Sequence, residues 1–351
     1  MTPPNLLAPC RAGFERECAQ ELTAVALDMG VSGFVKARPE SGFALFQAHQ
    51  EPMGVELGKH IERGRLVFPR ELVRVGDLLQ GLQAGDRVSP IASAARALGN
   101  RFASLWLEMP DTNEGKALSA LARTLRPHIE RALRGQGIEI DAAAAERLHV
   151  FFVGTAACYV GISPAKSSRW PMGIVRLRMP SAAPSRSTLK LAEALMEFIP
   201  ENEQARRLAP GMTAADLGAS PGGWTWQLVQ RGFSIVAVDN GPMDARLLET
   251  GQVKHRRTDG FTFRPAEPFD WMVCDMVESP SRIARLAARW IAERWCRETI
   301  FNLKLPMKKR YEEVERCRAL IDEALGGGGY FLRMKQLYHD REEVTAHLAR
   351  R

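Results

Sequence analysis

Short apolar runs separated by polar segments dominate the first half of the chain. Such runs at residues 6–9 and 42–46 predict strands, and apolar positions at helical spacing in residues 14–22 predict a helix. Two more strands are predicted at residues 67–68 and 104–107, and a helix at residues 116–133. Residues 148–153 and 158–162 predict a hairpin that closes on Gly154-Thr155. This mixed order of strands and helices is typical of small α+β domains.

The second half is more regular, because strand-length apolar runs alternate with helix-length segments. The predicted strands are residues 213–217, 234–238, 269–274, 299–304, 330–332 and 344–348. The predicted helices are residues 224–231, 281–290 and 311–325. Residues 326–329 are four glycines that follow a helix and precede a strand, so we interpret them as a turn and not as a phosphate loop. The pattern indicates one doubly wound α/β domain with a parallel sheet covered on both faces.

The stretch between the halves is polarised in charge. From Arg147 to Ala192 there is no acidic residue, whereas basic residues recur: Arg147, Lys166, Arg169, Arg176, Arg178, Arg186 and Lys190. Residues 163–187 are rich in proline and serine and are predicted to be a connector, with Trp170 beside the cations. Taken alone, the stretch fits a solvated linker, but cations next to an aromatic ring also suit RNA, which offers phosphates and stackable bases.

Composition narrows the class of protein. A length of 351 residues, 45% of them hydrophobic and 25% charged, fits a folded protein of two or three domains and excludes whole-chain disorder, collagen and coiled coil. The 48 Lys and Arg against 41 acidic residues give a net charge of +7. No apolar run approaches the roughly 20 residues that cross a bilayer. Since residues 1–5 also lack the order of a signal peptide, we expect a cytoplasmic protein.

The six cysteines give no sign of a metal site or a disulfide framework. None belongs to a Cys-x-x-Cys pair, and most lie inside apolar runs. His149 and Cys158 fall on neighbouring predicted strands, but no further ligand has the spacing of a zinc site. We therefore expect free structural thiols and no metal.

A glycine-rich loop follows the first strand of the second half. Residues 216–224 read Asp-Leu-Gly-Ala-Ser-Pro-Gly-Gly-Trp, and their three glycines let the backbone turn tightly against a ligand at the strand's carboxyl end. The spacing differs from Gly-x-Gly-x-x-Gly and no Gly-Lys-Ser/Thr follows, which disfavours a dinucleotide loop and a P-loop. Pro221 removes one backbone donor, which favours a cofactor without phosphate.

Acidic residues at strand ends complete the pattern. Asp239 ends the second strand, where a carboxylate accepts from ribose hydroxyls of a nicotinamide dinucleotide or S-adenosylmethionine. The loop together with Asp239, Asp259 and Asp275 resembles the FtsJ-type ribose 2′-O-methyltransferases. The whole chain is more similar to the bacterial ribosomal RNA large subunit methyltransferase M family, most specifically over residues 185–343. In the N-terminal part, residues 12–15 and 158–162 look THUMP-like.

The resemblance implies four parts. They are a ferredoxin-like segment (residues 1–65), a THUMP RNA-binding domain (66–164), a basic linker (165–184) and a Rossmann-like methyltransferase domain (185–351). The expected fold class is α/β, with an α+β ferredoxin-like and THUMP region before the doubly wound domain. The implied cofactor is S-adenosylmethionine, held by Ser187, Gly218, Ser220, Pro221, Gly222, Gly223, Asp239, Asp259 and Asp275. A helix N-cap at Ser187 and an Asp-Gly turn at Asp259 are the alternatives for those two residues.

Lys304 ends an apolar strand-like run, so its side chain is expected in the ligand crevice, whereas residues 308–310 are expected to be exposed. By resemblance Lys304 is the family's catalytic lysine and Asp275 its acidic neighbour. Lys190 matches the first lysine of the Lys-Asp-Lys-Glu arrangement, and Glu343 matches its last member. The adjacent Glu342 stays an alternative to Glu343.

These residue types suit methyl transfer to a ribose hydroxyl. In-line positioning supplies much of the rate, and a general base adds about 10²–10⁴-fold. Lys304 is a base only if its pKa is lowered, which Lys190 and the cofactor's sulfonium favour and Asp275 opposes. A second role stays open, in which Lys304 positions the hydroxyl and stabilises developing alkoxide charge.

The resemblance implies 2′-O-methylation of a single cytidine in the peptidyl-transferase region of 23S ribosomal RNA, before large-subunit assembly is complete, by a monomeric enzyme. The expected RNA contacts are Lys166, Arg169, Arg176, Arg178 and Arg186. One alternative is a ribosomal RNA base methyltransferase, disfavoured because residues 274–280 lack a Pro-Pro-aromatic motif. The others are a non-catalytic RNA-binding assembly factor and a nicotinamide-dependent dehydrogenase, which the loop spacing disfavours.

Overall fold

The structure is a computed structural model that describes residues 4–60 and 65–351. The chain forms two compact units, the first ending at Ile174 and the second beginning at Val175. Residues 1–3, which enter the expectation about a signal peptide, lie outside the described residues. Among the described helices, none has the length and apolarity that crossing a membrane requires.

The described residues of the N-terminal unit form ten short strands and five helices. Its strands are β1 (Asn5–Pro9), β2 (Gly33–Ala37), β3 (Phe43–Ala48), β4 (Val73–Val75), β5 (Leu79–Gln80), β6 (Arg101–Phe102), β7 (Leu105–Glu108), β8 (Glu139–Ile140), β9 (Glu146–Gly154) and β10 (Ala157–Pro164). Its helices are α1 (Glu15–Asp28), α2 (Glu51–His60), α3 (Val88–Leu98), α4 (Asn113–Ala117) and α5 (Ser119–Gly135). Eight strands form one mixed sheet with the order β2-β3-β1-β4-β10-β9-β7, and β5 pairs with β10.

Strands from both predicted N-terminal parts share this sheet, because β4 pairs with β1 on one side and with β10 on the other. The predicted hairpin is confirmed, since β9 and β10 are antiparallel neighbours. Side chains alternate across the sheet: Phe151 packs with Leu7 on one face, while Val150 and Phe152 pack with Ile91 of α3 and other apolar residues on the opposite face. The boundary near residue 65 stays a prediction.

Two local predictions in this unit are wrong. Val67 and Phe68 are not in a strand; both are buried, and their N–H groups donate to the Glu21 carboxylate at 2.7 and 2.9 Å instead of to a neighbouring strand. The predicted helix at residues 116–133 is two helices, because α4 ends before Leu118 and α5 starts after it. The predictions also lacked α2, α3 and β2, and α2 contains a proline and two glycines that weaken its helical pattern.

The C-terminal unit contains seven strands and six helices. The strands are β11 (Thr213–Leu217), β12 (Ser234–Val238), β13 (Val253–Arg256), β14 (Phe269–Cys274), β15 (Cys296–Lys304), β16 (Tyr330–Lys335) and β17 (Glu343–Arg350). The helices are α6 (Thr188–Phe198), α7 (Glu201–Arg207), α8 (Gly223–Val229), α9 (Ala245–Glu249), α10 (Pro280–Ala292) and α11 (Arg310–Leu325). The predicted strands are thus confirmed, and β13 is an addition.

These strands form one sheet with the order β13-β12-β11-β14-β15-β17-β16. The first five are parallel, whereas β17 runs antiparallel to β15 and to β16. The strand order reverses at β11, so a crevice opens between the carboxyl ends of β11 and β14, where doubly wound sheets bind ligands. Trp271 and Ile300 point to the face covered by α6 and α8, and every second residue of β14 and β15 shares that face.

The remaining expectations about secondary structure and thiols also hold. Between β10 and α6 the chain has only a short 3₁₀ turn, Pro171–Gly173, as expected of a connector. Gly326 caps α11 in the left-handed conformation at φ +69°, which confirms the turn. All six cysteines are free and buried, and burial raises the pKa of Cys274 to about 12.

Candidate active site

In the loop between β11 and α8, close contacts leave no room for a side chain at two glycine positions. Gly218 has φ +78°, and a Cβ there would lie 2.5 Å from Cγ of Met276. Gly222 has φ +118°, and a Cβ there would lie 2.2 Å from Cδ1 of Leu247. Both positions need glycine for conformation and for space, so the two ends of the loop are fixed against their neighbours.

The Asp239 carboxylate ties this loop to the end of β12. One oxygen accepts from the Ser220 N–H at 3.0 Å and the other accepts from the Gly241 N–H at 2.7 Å. Asp259 is exposed, and its Oδ1 accepts from the Phe261 N–H at 2.8 Å, which is the local turn expected of an Asp-Gly pair. Both carboxylates keep acceptor capacity toward a ligand, since an ionised carboxylate has about four lone-pair sites.

A cleft of about 460 Å³ lies at this edge of the sheet. Its lining includes Gly218, Ser220, Asp239, Asp259, Phe261 and Asp275. The structure therefore brings together five of the residues predicted to bind a cofactor. The other predicted ones, Pro221, Gly222, Gly223 and Ser187, do not line the cleft. Ser187 precedes α6 as expected, but its side chain makes no capping bond, and its carbonyl accepts from the Trp224 indole at 3.0 Å.

Two lysines and two carboxylates meet beside this cleft, and we call Lys190, Asp275, Lys304 and Glu343 the tetrad. Lys304 Nζ lies 3.1 Å from Asp275 Oδ1 and 3.2 Å from Glu343 Oε1. Lys190 Nζ lies 2.5 Å from Glu343 Oε2 and 3.5 Å from Asp275 Oδ2. Each carboxylate thus contacts both ammonium groups, and the formal charges balance.

The pairing of neighbouring strands, together with helix α6, brings the four residues of the tetrad together. Asp275 directly follows β14, and Lys304 ends the parallel neighbour β15, so both lie at the carboxyl edge of the sheet. Glu343 begins the antiparallel strand β17 directly opposite Lys304. Lys190 comes from the first turn of α6, which covers the same face.

The two neighbouring glutamates differ in position. Glu343 contacts both lysines, whereas the exposed Glu342 points away and accepts from Arg310 at 2.6 Å. Lys308 and Lys309 are exposed as expected. Arg310 is not: its side chain is only 17% exposed, and it pairs with Glu342.

Charge pairing sets the ionisation of the tetrad. Burial alone would lower the pKa of Lys304, but the charges of Asp275 and Glu343 and their hydrogen bonds outweigh burial and raise that pKa above 10.5. For Glu343 burial would raise the pKa, but the charges of Lys190 and Lys304 outweigh it and lower the pKa below 4.5. At neutral pH the protein therefore holds Lys304 as an ammonium and Glu343 as a carboxylate.

Three polar residues next to the tetrad were missed by sequence reasoning. Asn302 is fully buried and its side-chain amide donates to both tetrad carboxylates, while Thr345 and Asp340 lie directly behind it. A signal was available, because Asn302 lies two residues before Lys304 and Thr345 two after Glu343, which puts each pair on one face of its strand.

The predicted RNA-contacting residues are all exposed, in both units. Lys166 and Arg169 belong to the N-terminal unit, and Arg176, Arg178 and Arg186 belong to the C-terminal unit. Arg147, at the start of the acid-free stretch, is different. It is buried, stacks on the Trp106 ring at 3.5 Å and donates to the carbonyl oxygens of Ala165 and Ser168, so its charge serves the interior of the fold.

A second buried polar cluster lies in the N-terminal unit, where ligand atoms of Glu71, Glu108 and His149 lie within 4.8 Å of one another. Both nitrogens of His149 have hydrogen-bond partners, Glu108 at 2.7 Å and Ser163 at 2.8 Å. The Glu108 carboxylate also accepts from the Met172 N–H at 2.6 Å. These bonds join β7, β9 and β10 to the 3₁₀ turn and explain the cluster as part of the core.

Three family models match consecutive parts of the chain. They are described as an RlmM ferredoxin-like domain at residues 3–73, Ribosomal RNA large subunit methyltransferase M, N-terminal, at residues 86–164, and FtsJ-like methyltransferase at residues 183–329.

Relatives match over nearly the whole length. The chain is 49% identical to the "Ribosomal RNA large subunit methyltransferase M" of Methylococcus capsulatus, over 99% of this chain and 98% of the relative. It is 49% identical to the protein of the same name from Aromatoleum aromaticum, over 100% and 98%. Among solved structures, a fibrillarin from Aeropyrum pernix with bound S-adenosyl-L-methionine is 15% identical and covers 58% of this chain and 82% of its own, with a TM-score of 0.35.

Proposed function

The chain belongs to the ribosomal RNA large subunit methyltransferase M family, and from that premise we propose that it transfers a methyl group to the ribose 2′-hydroxyl of one cytidine in the peptidyl-transferase region of 23S ribosomal RNA. The donor is S-adenosylmethionine. The substrate is the RNA before large-subunit assembly is complete, and the enzyme acts as a monomer.

One observation carries the proposal, namely the tetrad at the carboxyl edge of the sheet. Lys304 is held between Asp275 and Glu343 beside the cleft, in the order and on the strands that the FtsJ-type resemblance implies. Base methylation needs groups that recognise a base edge, and residues 274–280 lack the Pro-Pro-aromatic motif that accompanies it. A non-catalytic RNA-binding factor has no need of four buried or half-buried charges at a ligand crevice, since burying charge is costly.

The cleft fits S-adenosylmethionine by its carboxylate acceptors and by the space that its glycines leave. Gly218 and Gly260 keep the cleft wall open, because a Cβ on either would contact the Met276 side chain within 3.0 Å. In the proposed complex Asp239 would accept from the ribose hydroxyls of the cofactor. Asp259 and Phe261 would contact its adenine, and Asp275 would bind its cationic end. When bound, the cofactor supplies an electrophilic methyl group and keeps the electron pair of the broken carbon–sulfur bond. The role of Ser187 in this binding stays a prediction.

Lys304 acts in this account as a cation. Its raised pKa keeps it protonated, so it donates a hydrogen bond to the 2′-oxygen, orients that oxygen and stabilises negative charge as the oxygen–carbon bond forms. The hydroxyl proton leaves the oxygen in the same step and passes to solvent. Lys190 neutralises Glu343 so that this carboxylate and Asp275 can hold the Lys304 ammonium in place without leaving a net charge.

The RNA is bound by exposed cations. Lys166, Arg169, Arg176, Arg178 and Arg186 are all exposed and come from the stretch without acidic residues. Arg169 lies 5.9 Å from the Trp170 ring and Arg176 lies 5.7 Å from the Tyr338 ring, so a ring accompanies a cation in each unit. Phosphates supply the affinity and rings supply stacking surfaces for unpaired bases.

The test uses purified protein, methyl-labelled S-adenosylmethionine and 23S RNA lacking its native modifications. Digestion of the product to nucleosides is expected to place the label in 2′-O-methylcytidine, and Lys304→Ala is the matched negative control. Label in a methylated base would replace the proposal by base methylation. Absence of incorporation into naked RNA and into assembly precursors would favour the non-catalytic alternative.

A further inference from the structure

A short chain of buried polar groups leads from the tetrad into the sheet. Asn302 lies opposite Thr345 in the β15–β17 pairing, two residues along the strands from the pair formed by Lys304 and Glu343. Asn302 and Thr345 are fully buried, and Asp340 behind them is 1% exposed. Burial of a polar group is costly unless its hydrogen bonds are made, so each of these side chains needs partners within the protein.

The Asn302 amide bridges the two acidic members of the tetrad. Its Nδ2 lies 3.0 Å from Asp275 Oδ1 and 3.1 Å from Glu343 Oε2. An amide nitrogen has two hydrogens, so both bonds can form at once. The same Asp275 oxygen also receives Lys304, and Glu343 receives Lys304 through its other oxygen. The fully buried Asn302 amide therefore holds both carboxylates in addition to the lysines that contact them.

This arrangement works in only one orientation of the amide, because a flipped amide would put its oxygen against two carboxylates. Thr345 Oγ1 lies 2.8 Å from Asn302 Oδ1 and 2.9 Å from Asp340 Oδ2. A hydroxyl has one hydrogen, so donation to Asn302 requires that Thr345 accept from Asp340. Burial first, and then the charges of Glu343 and Glu193, raise the pKa of Asp340 well above 3.8, the direction that favours a protonated carboxyl able to donate to Thr345.

The loop that carries Asp340 is itself anchored. The Glu193 carboxylate of α6 accepts from the backbone N–H groups of Tyr338 and His339, each at 2.9 Å. The Asp340 carboxylate also accepts from the Leu337 N–H at 3.0 Å. Helix α6 therefore contributes Lys190 to the tetrad directly and holds the far end of the polar chain through Glu193.

We propose that Asn302 is a positioning residue, which sets the Asp275 and Glu343 carboxylates against Lys304, and that Thr345 and Asp340 hold its amide in the orientation that donates to both. The inference rests on the proposed function of the tetrad and deepens it. Asn302 does not itself line the cleft; it acts through the carboxylates of Asp275, which does line the cleft, and Glu343.

Two substitutions of Thr345 separate the hydrogen bond from the packing. Thr345→Val keeps the shape and removes the O–H donor, whereas Thr345→Ser keeps the donor and removes a methyl group. We expect Thr345→Val to lower kcat about tenfold, with the KM for RNA and the Kd for S-adenosylmethionine unchanged, and Thr345→Ser to stay within about twofold of wild type. Asn302→Leu should lower kcat further, by about 100-fold.

Thr299→Val is the matched control on the same strand. Thr299 is fully buried, and its hydroxyl donates to Met272 Sδ at 3.4 Å, away from the tetrad. Its loss is expected to leave kcat unchanged. Equal losses of kcat in Thr345→Val and Thr345→Ser would show that packing, not the hydrogen bond, matters and would overturn the proposal.

A second readout does not depend on activity. In an amide NMR spectrum, the Asn302 side-chain hydrogens, identified by their absence in Asn302→Leu, should exchange slowly with solvent in the wild-type protein and in Thr345→Ser, and faster in Thr345→Val. Unchanged exchange in Thr345→Val would contradict the proposed orientation. If the wild-type protein methylates no RNA, the proposed function fails, and the exchange rates still decide whether Thr345 holds Asn302.

Discussion

Lys304 lies 3.1 Å from Asp275, and the two residues stand at the carboxyl ends of neighbouring parallel strands. Glu343 approaches the same ammonium at 3.2 Å from an antiparallel strand on the other side. Because two carboxylates hold one lysine, its charge is stable and its direction is fixed. A group prepared in this way is suited to stabilise negative charge on an oxygen without reorganising during the reaction.

Replacing Lys304 should separate catalysis from binding. Lys304→Ala is expected to reduce single-turnover methylation by about 10²–10⁴-fold, because the group that orients the hydroxyl is lost. The Kd for S-adenosylmethionine, measured by calorimetry, should change little. Lys308→Ala, an exposed lysine in the following loop, is the control and should retain full activity. Methylation at the wild-type rate in Lys304→Ala would refute the assigned role.

Asp259 tests whether a turn residue also binds the cofactor. Its Oδ1 accepts from Phe261 N–H in the turn, and its other oxygen remains available to the cleft. Asp259→Asn keeps an acceptor for the turn and places an amide nitrogen toward the adenine. We expect Asp259→Asn to weaken binding of S-adenosylmethionine about tenfold with little change in thermal stability. Wild-type affinity in this variant would leave Asp259 as a turn residue only.

Asp216 should make folding stability depend on pH. It is fully buried, and burial, despite the hydrogen bond from Thr225, raises its pKa from 3.8 to about 7. At pH values between these two pKa values, the native state binds more protons than the unfolded state. The free energy of unfolding therefore falls as pH rises through this range. Asp216→Asn removes the effect and is expected to stabilise the protein by up to about 4 kcal/mol at about pH 8, and much less below about pH 4.

The opposite pH dependence is expected for Asp244, a partly buried acid at the start of α9. A hydrogen bond from Arg246 lowers the pKa of Asp244, so Asp244→Asn should cost stability near neutral pH and not in acid. Chemical denaturation of both variants in acidic and alkaline buffers measures how each substitution changes the free energy of unfolding with pH. If Asp216→Asn gave no greater gain in alkaline than in acidic buffer, the buried carboxyl would not be protonated as described.

The exposed arginines of the C-terminal unit should govern RNA affinity and not chemistry. In the double variant Arg176→Ala, Arg178→Ala, we expect the KM for RNA to rise several-fold at low salt while kcat at saturating RNA is retained. The salt dependence of log K should weaken by about 0.7–0.9 per lost phosphate contact. Arg206→Ala removes an exposed arginine at the opposite, amino-terminal edge of the sheet and should have little effect. An unchanged KM and salt slope in the double variant would remove these arginines from the RNA site.

The sequence was most informative where one strong signal decided the structure. Apolar strand-length runs located β11, β12, β14 and β15, and the glycines after β11 located the cleft, because parallel buried strands and tight turns allow few alternatives. The sequence was less informative where a residue far away in the chain determines the local backbone structure. Val67 and Phe68 have the apolar pattern of a strand, but Glu21, far away in sequence, takes their backbone N–H groups.

Within the candidate active site, too, local sequence signals were informative and contacts between distant residues were not predictable. The resemblance supplied the four residues of the tetrad but left Glu342 as an alternative to Glu343. The structure shows that Glu343 is the residue that lies opposite Lys304 on the neighbouring strand. Asn302 lay in an apolar run and was not singled out, because its importance comes from register across two strands. The sign of the Lys304 pKa shift also required distances, since burial and the two carboxylates act in opposite directions.

The most direct test of the central claim is a map of 2′-O-methyl groups on 23S ribosomal RNA from cells with and without this protein, with the deletion complemented by the wild-type chain or by Lys304→Ala. We expect one cytidine in the peptidyl-transferase region to lose its 2′-O-methyl group in the deletion, to regain it with the wild-type chain and not to regain it with Lys304→Ala. An unchanged map in the deletion, or full restoration by Lys304→Ala, would contradict the central claim.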